Sequence, residues 1–159
     1  MRILLAVCLC SSAYAADNLQ RVVEVINSNK ATYLKVQEAT GLDYRLVAAL
    51  HYRECGSRFN RSIQDGRVLP KDIDWVDHAS KFINKWRAGA RLKVPQTREA
   101  MLEFAERWNG LGYRKLGVPS PYVWSGTDRY VKGKFTADGS YDSEVVDKQI
   151  GVAPILDAL

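Results

Sequence analysis

Residues 43–59 read DYRLVAALHYRECGSRF and set a carboxylate, Glu54, where a helix would bring it toward the interior. Asp43 is a suitable N-cap, because its side chain can accept from the free amides of a first helical turn. Leu46, Val47, Ala49 and Leu50 give the run an apolar face, and Gly56 is placed to end it in the left-handed conformation. Glu54 then falls in the last turn, on the stripe that carries Val47 and Leu50. Burial disfavours its ionised form, and so does the negative end of the helix dipole. Both raise the pKa toward the range that a general acid needs near neutral pH. Arg53 and Arg58 oppose that shift if either reaches the carboxylate. This helix alone therefore leaves two readings open, a proton donor and a structural Glu paired with an arginine.

Further chemistry-bearing residues lie downstream. Asn109-Gly110-Leu111-Gly112-Tyr113 offers an amide that can donate and accept, and two glycines that let backbone approach a ligand closely. Residues 120–141 are dense in aromatics, namely Tyr122, Trp124, Tyr130, Phe135 and Tyr141. Flat rings with polar edges stack on sugar faces but also fill cores. Asp138-Gly139 is a turn that carries a second carboxylate. Cys55 could act as a nucleophile with His51 or His78 as base, or be a small packed residue. The two histidines and one cysteine show no recognisable metal-ligand spacing, so no metal or other cofactor is expected.

The order Glu54, Ser57, Phe59 and then WNGLGY at residues 108–113 resembles the lysozyme-like superfamily, nearest to goose-type lysozymes and lytic transglycosylases. Trp108 stands where that family usually has Tyr, Leu111 where it has Gly, and Cys55 where it has Ser. The run at residues 120–142 also resembles the tail of small lysozyme-like proteins of bacteria and their phages. The resemblance spans roughly residues 41–149. It implies a mainly α, lysozyme-like helical domain with a small β-hairpin element, and cleavage of the β-1,4 link between N-acetylmuramic acid and N-acetylglucosamine in peptidoglycan. Glu54 would be the acid, with Asp138 as the remaining candidate for a second catalytic carboxylate. Ser57, Asn109, Tyr113, Tyr122 and Trp124 would contact substrate, with the Asn109 segment across the cleft from Glu54. Three alternatives stand beside this: a lytic transglycosylase on the same bond, a non-catalytic wall-binding module, and a lysozyme selective for de-N-acetylated glycan.

The elements that must position these residues are mostly helices. Leu19, Val22, Val23 and Ile26 repeat at helical spacing within residues 17–30, and Asn27 to Asn29 mark the stop. A second helix, about residues 32–39, closes at Thr40-Gly41. After the Glu54 helix, Gln64-Asp65-Gly66 reads as a tight turn between residues 59–63 and 67–69, which predicts the β-hairpin there. Asp65 is the carboxylate of that loop and a ready turn-former. Residues 72–87 form a helix with Ile73, Val76, Ala79, Phe82, Ile83 and Trp86 on its apolar side, and Gly89 ends it. Thr97 caps another, with Met101, Leu102, Phe104, Ala105 and Trp108 facing inward. Residues 142–159 are read as a short helical or irregular tail.

Residues 1–15 have the pattern of a signal peptide: Arg2, an apolar run from Ile3 to Leu9, and Ala13-Tyr14-Ala15 as the cleavage site. That run is too short to span a membrane. The expected product is a single exported domain, residues 16–159, periplasmic or extracellular, without stable membrane insertion and monomeric. Of the 3 cysteines, Cys8 and Cys10 fall in the leader, and neither follows the small residue that lipid attachment requires. Cys55 is then left without a partner for an internal disulfide. A net charge of +5 favours an anionic polymer. Its Lys and Arg residues are scattered without a nucleic-acid motif, so peptidoglycan strands are the expected partner rather than nucleic acid.

Overall fold

A computed structural model describes residues 18–159, so the predicted leader and Cys8 and Cys10 lie outside the described residues. The fold is mainly helical with one small antiparallel ladder. Helix α1 covers residues 18–28 and stops at Asn29, whose amide donates to the Ile26 carbonyl at 3.0 Å. Helix α2, Lys30–Thr40, follows at once and ends on Gly41 at φ 76°. Helix α3, Tyr44–Cys55, begins as its sequence predicts: the Asp43 carboxylate accepts from the Arg45 amide at 2.8 Å. It ends on Gly56 at φ 65°, in the left-handed region that glycine enters at little cost.

The middle of α3 is buried on every side. Leu46, Val47, Ala48, Ala49, Leu50 and His51 are all fully inaccessible. An amphipathic stripe is thus only part of its character, and it is the central helix of the molecule. It packs on α2 to one side and, to the other, on α5 (Arg98–Asn109) and α8 (Val152–Ala158). Helix α4, Trp75–Gly89, lies on α2 and is capped by Asp74, which accepts from the Asp77 amide at 2.8 Å. Its predicted start at residue 72 is therefore early by a few residues. Ile73 falls before the helix and is exposed. Thr97 caps α5 as expected, accepting from the Ala100 amide at 3.2 Å.

Two one-turn helices, α6 (Gly112–Lys115) and α7 (Pro121–Trp124), carry the chain back across α5, and α7 also packs on α8. The predicted hairpin near Gln64-Asp65-Gly66 is not where the strands form. That loop keeps the turn but pairs only once, Arg61 with Val68. The ladder is instead β1 (Lys134–Ala137) against β2 (Ser140–Asp142), turning at Asp138-Gly139. Its register pairs Phe135 with Tyr141 and holds a bulge between Phe135 and Ala137. Two strands alone are marginal in water. This pair is held by edge-on contacts among Tyr113, Phe135 and Tyr141, and by the Phe135 amide donating to the Tyr113 hydroxyl at 3.0 Å. The tail, read as short helical or irregular, delivers α8 into the core, where Val152, Ala153, Pro154, Ile155 and Leu156 are all buried. No helix among the described residues is long and apolar enough to cross a membrane.

Candidate active site

Three helices converge on Glu54. Its position in the last turn of α3 is set by the Asp43 cap and the Gly56 stop. From α5, the Trp108 indole N–H donates to Glu54 Oε1 at 3.1 Å. From α7, the Tyr122 hydroxyl donates to the same oxygen at 2.7 Å. Both donors go to Oε1, which leaves Oε2 as the oxygen suited to carry the proton. A fourth element fixes the backbone: Gly66, at φ 70°, lies so close that a Cβ there would stand 2.9 Å from the Glu54 carbonyl oxygen.

Neither arginine forms an ion pair with Glu54. Arg53 turns to Asp147 at 2.8 Å, and Arg58 Nε donates to the Cys55 carbonyl at 2.8 Å. The structural-pair reading therefore loses its partner. Burial pushes the Glu54 carboxyl above its ordinary value. The Tyr122 and Trp108 bonds and the Arg53 charge pull the other way and are outweighed, while the Asp65 charge adds to the rise. Desolvation is thus the dominant cause of its raised proton affinity.

A cleft of about 480 Å³ opens beside this group. Arg53 and Tyr122 line its inner side, Asn109, Gly110, Gly112 and Tyr113 one wall, and Lys134, Phe135, Ala137, Asp138 and Gly139 of the hairpin the other. Glu54 is not itself among the lining residues; it is joined to the cleft through Tyr122. Gly110 has φ 100° and open space where a side chain would stand, so the wall there is bare backbone.

No family model, curated protein or solved structure matches this chain.

The geometry sorts the predicted residues into two groups. Glu54, Asn109, Tyr113, Tyr122 and Asp138 come together at the cleft and its rear wall. Asn109 and Asp138 are exposed there, while Tyr113 and Tyr122 are buried, so Tyr122 acts on Glu54 rather than as an open stacking surface. Ser57 does not reach the cleft: it is buried, at φ 60°, on the side of Tyr33. Trp124 does not reach it either. Its ring lies under the Arg129 guanidinium at 3.8 Å and lines a separate groove with Leu102 and Glu106. It points away because α7 is a single turn, and a residue two positions after Tyr122 leaves by another face.

Cys55 is buried, and its thiol donates to the His51 and Arg58 carbonyls. Burial raises the thiol above its ordinary value. His51 is tied elsewhere, with Nδ1 at 3.0 Å from the Tyr33 hydroxyl and Nε2 at 3.1 Å from the Arg58 carbonyl. His78 contacts the Ser62 hydroxyl at 3.0 Å. A cysteine nucleophile therefore has neither an adjacent base nor a lowered pKa. Asp65 makes its turn, accepting from the Arg67 amide at 3.2 Å and from its guanidinium at 2.6 Å. Among the described residues, no group of three or more His, Cys, Asp and Glu side chains is placed to hold a metal ion.

Sequence reasoning missed three participants. Trp108 was expected to face inward, but its spacing carries no signal that the indole reaches Glu54, 54 positions away. Asp147 lies 94 positions from the arginine it binds. The cleft's outer wall is the hairpin, and the Asp138-Gly139 dipeptide between Phe135 and Tyr141 was the available sign of it.

Proposed function

We propose that this chain is an exported glycosidase of lysozyme type, cleaving the β-1,4 link between N-acetylmuramic acid and N-acetylglucosamine in peptidoglycan. The observation that carries the reading is Glu54: a partly buried carboxyl with raised proton affinity, held through one oxygen by Trp108 and Tyr122 beside a cleft. In the proposed reaction a glycan strand lies between the Asn109 wall and the hairpin. Glu54 donates its proton to the departing glycosidic oxygen, and the Trp108 and Tyr122 donors then stabilise the carboxylate that forms. Charge develops on the sugar at the same moment. A hydrolase answers it with a second carboxylate or an activated water, and Asp138 on the hairpin turn is the residue for that role.

A second reading, a lytic transglycosylase, has support from the other carboxylates of the cleft. Asp147 is committed to Arg53, and Asp138 stands on an exposed turn. A transglycosylase needs only the one acid, because the muramic acid 6-hydroxyl attacks in place of water. Mass spectrometry of peptidoglycan digested by the purified protein separates the two by product. Reducing ends support the hydrolase, and 1,6-anhydro ends the transglycosylase. Undegraded strands that stay bound to the protein would leave only a wall-binding module.

A further inference from the structure

Arg53 precedes Glu54 in the sequence and would, alone, be a poor neighbour for an acid that must stay protonated. A buried guanidinium beside a carboxyl favours its ionised form. The structure deals with this charge through the chain's C-terminal segment. Arg53 Nη2 meets Asp147 Oδ2 at 2.8 Å, with both side chains almost wholly buried, at 6% and 3% exposure. Arg53 Nη1 donates to the Gln149 and Ile150 carbonyls at 3.0 and 3.3 Å. Gln149 returns the connection, its side-chain amide donating to the Tyr52 and Arg53 carbonyls at the open end of α3. Asp147 is itself fixed: its amide donates to the Tyr130 hydroxyl at 2.9 Å, and its carbonyl accepts from the Ser125 hydroxyl at 2.9 Å. Held this way, the guanidinium lies 4.8 Å from the centre of the Tyr122 ring, and Tyr122 is the residue that binds Glu54.

We propose that Asp147 is a positioning residue for the acid: it balances the charge of Arg53 and locks Arg53 beneath Tyr122, so that Glu54 keeps both its proton and its orientation. This rests on the reading of Glu54 as the proton donor. Burial works against ionisation of Asp147, yet the Arg53 charge and hydrogen bond, the Gln149 amide and Lys134 hold it below its ordinary value. Asp147 therefore remains an anion while Glu54 titrates. The other groups facing Glu54 are Cys55 on α3, Asp65 of the turn, Tyr122 on α7 and the uncharged Trp108 indole on α5. Arg53 is the cation among them, so its compensation governs the balance.

The two halves of this ion pair should move Glu54 in opposite directions, which a merely structural pair would not do. The test is a pH titration of the full chain labelled with 13C-glutamate, the Glu54 signal being assigned by its loss in Glu54→Gln. Asp147→Asn leaves Arg53, and with it Lys134 at 3.4 Å from the same carboxylate, uncompensated and should lower the Glu54 midpoint by about half a pH unit or more. Arg53→Gln should raise it, and Arg53→Gln with Asp147→Asn should fall between wild type and Arg53→Gln. Midpoints that shift the same way in both single variants, or do not shift, would overturn the proposal. Removing one partner of a buried pair is strongly destabilising. If Asp147→Asn does not fold, Arg53→Gln and the double variant decide, and a midpoint in Arg53→Gln no higher than wild type defeats the idea. Where the variants turn over peptidoglycan, the alkaline limb of their pH–rate profiles should follow the same order. Absence of turnover in wild type would sink the proposed activity, while the titration would still decide the role of Asp147.

Discussion

Glu54 carries an energetic burden that its proposed chemistry explains. Its proton affinity is raised mainly by burial, so the folded protein resists ionising it. Below the ordinary value of 4.5, folded and unfolded chains both hold the proton, and the group costs nothing. As pH rises through the higher folded value, the unfolded chain gains by ionising and the folded state loses stability relative to it. Glutamine has nearly the same shape, can accept from Trp108 and Tyr122, and never ionises. Glu54→Gln should therefore melt at or above wild type at pH 7, with the gap closing near pH 4. It should still bind glycan and lose at least about a hundredfold in turnover, since general acid catalysis contributes roughly 10²–10⁴-fold. Calorimetry at the two pH values and turnover on one preparation measure both effects. An active but destabilised Glu54→Gln protein would restore the structural reading of this residue.

At the scale of the element, α3 depends on what closes around its ends. His51 is fully buried between Tyr33 of α2 and the Arg58 carbonyl of the following loop. A carbonyl only accepts, so Nε2 carries the proton and Nδ1 accepts from Tyr33. Phe59 and Trp75 pack against the same ring. Burial pushes His51 down to about 4 from its ordinary 6.5, outweighing the Arg58 bond. Stability from the neutral ring is thus complete above about pH 6.5 and lost as pH falls toward 4, by on the order of 3 kcal/mol across that window. Urea denaturation from pH 7 to 4 should show this slope, and His51→Gln, though less stable at pH 7, should flatten it. Gly66 closes the other side. Alanine there would need φ near 70° and would press on the Glu54 carbonyl, so Gly66→Ala should cost about 1–3 kcal/mol and lower turnover. Unchanged turnover would remove Gly66 from the site's support. The bounds of α3 and α5 were legible because the caps act locally: Asp43 and Thr97 accept from amides of the first turn, and Gly56 donates its own amide to carbonyls of the last. The ladder was misplaced because Gln64-Asp65-Gly66 and Asp138-Gly139 both favour turns. What selects the second is the aromatic packing of Phe135 and Tyr141 on Tyr113, which no local rule contains.

At the scale of the whole molecule, the site is where distant segments meet. The candidate acid could be read from helical spacing, and Asn109 and Asp138 from residue type and resemblance. Trp124 could not be told from Tyr122, because both are aromatic, and only the direction in which a one-turn helix presents each separates them. The Trp108 and Tyr122 bonds, and the Arg53–Asp147 pair behind them, are tertiary and leave no periodic trace. What aligns them is α8, since α3, α5 and α7, the helices that supply Glu54, Trp108 and Tyr122, all pack on it. Ile155 is fully buried at the centre of α8, whereas the equally buried Ile83 sits on α4, which packs on α2. Truncating either isoleucine to alanine should cost about 2–5 kcal/mol through lost burial and the cavity left behind. Their effects on turnover should differ. Relaxation around Ile155→Ala shifts helices that each hold one bond of the Glu54 cluster, and a small misplacement of catalytic groups is costly to rate. Relaxation around Ile83→Ala falls on α4, which reaches the cluster at one point, where the Phe82 and Trp86 rings pack on Trp108. Assayed well below both melting temperatures, Ile155→Ala should lose turnover markedly and Ile83→Ala should keep it. Equal losses in the two variants would mean that turnover follows overall stability, and that α8 has no special part in aligning the site.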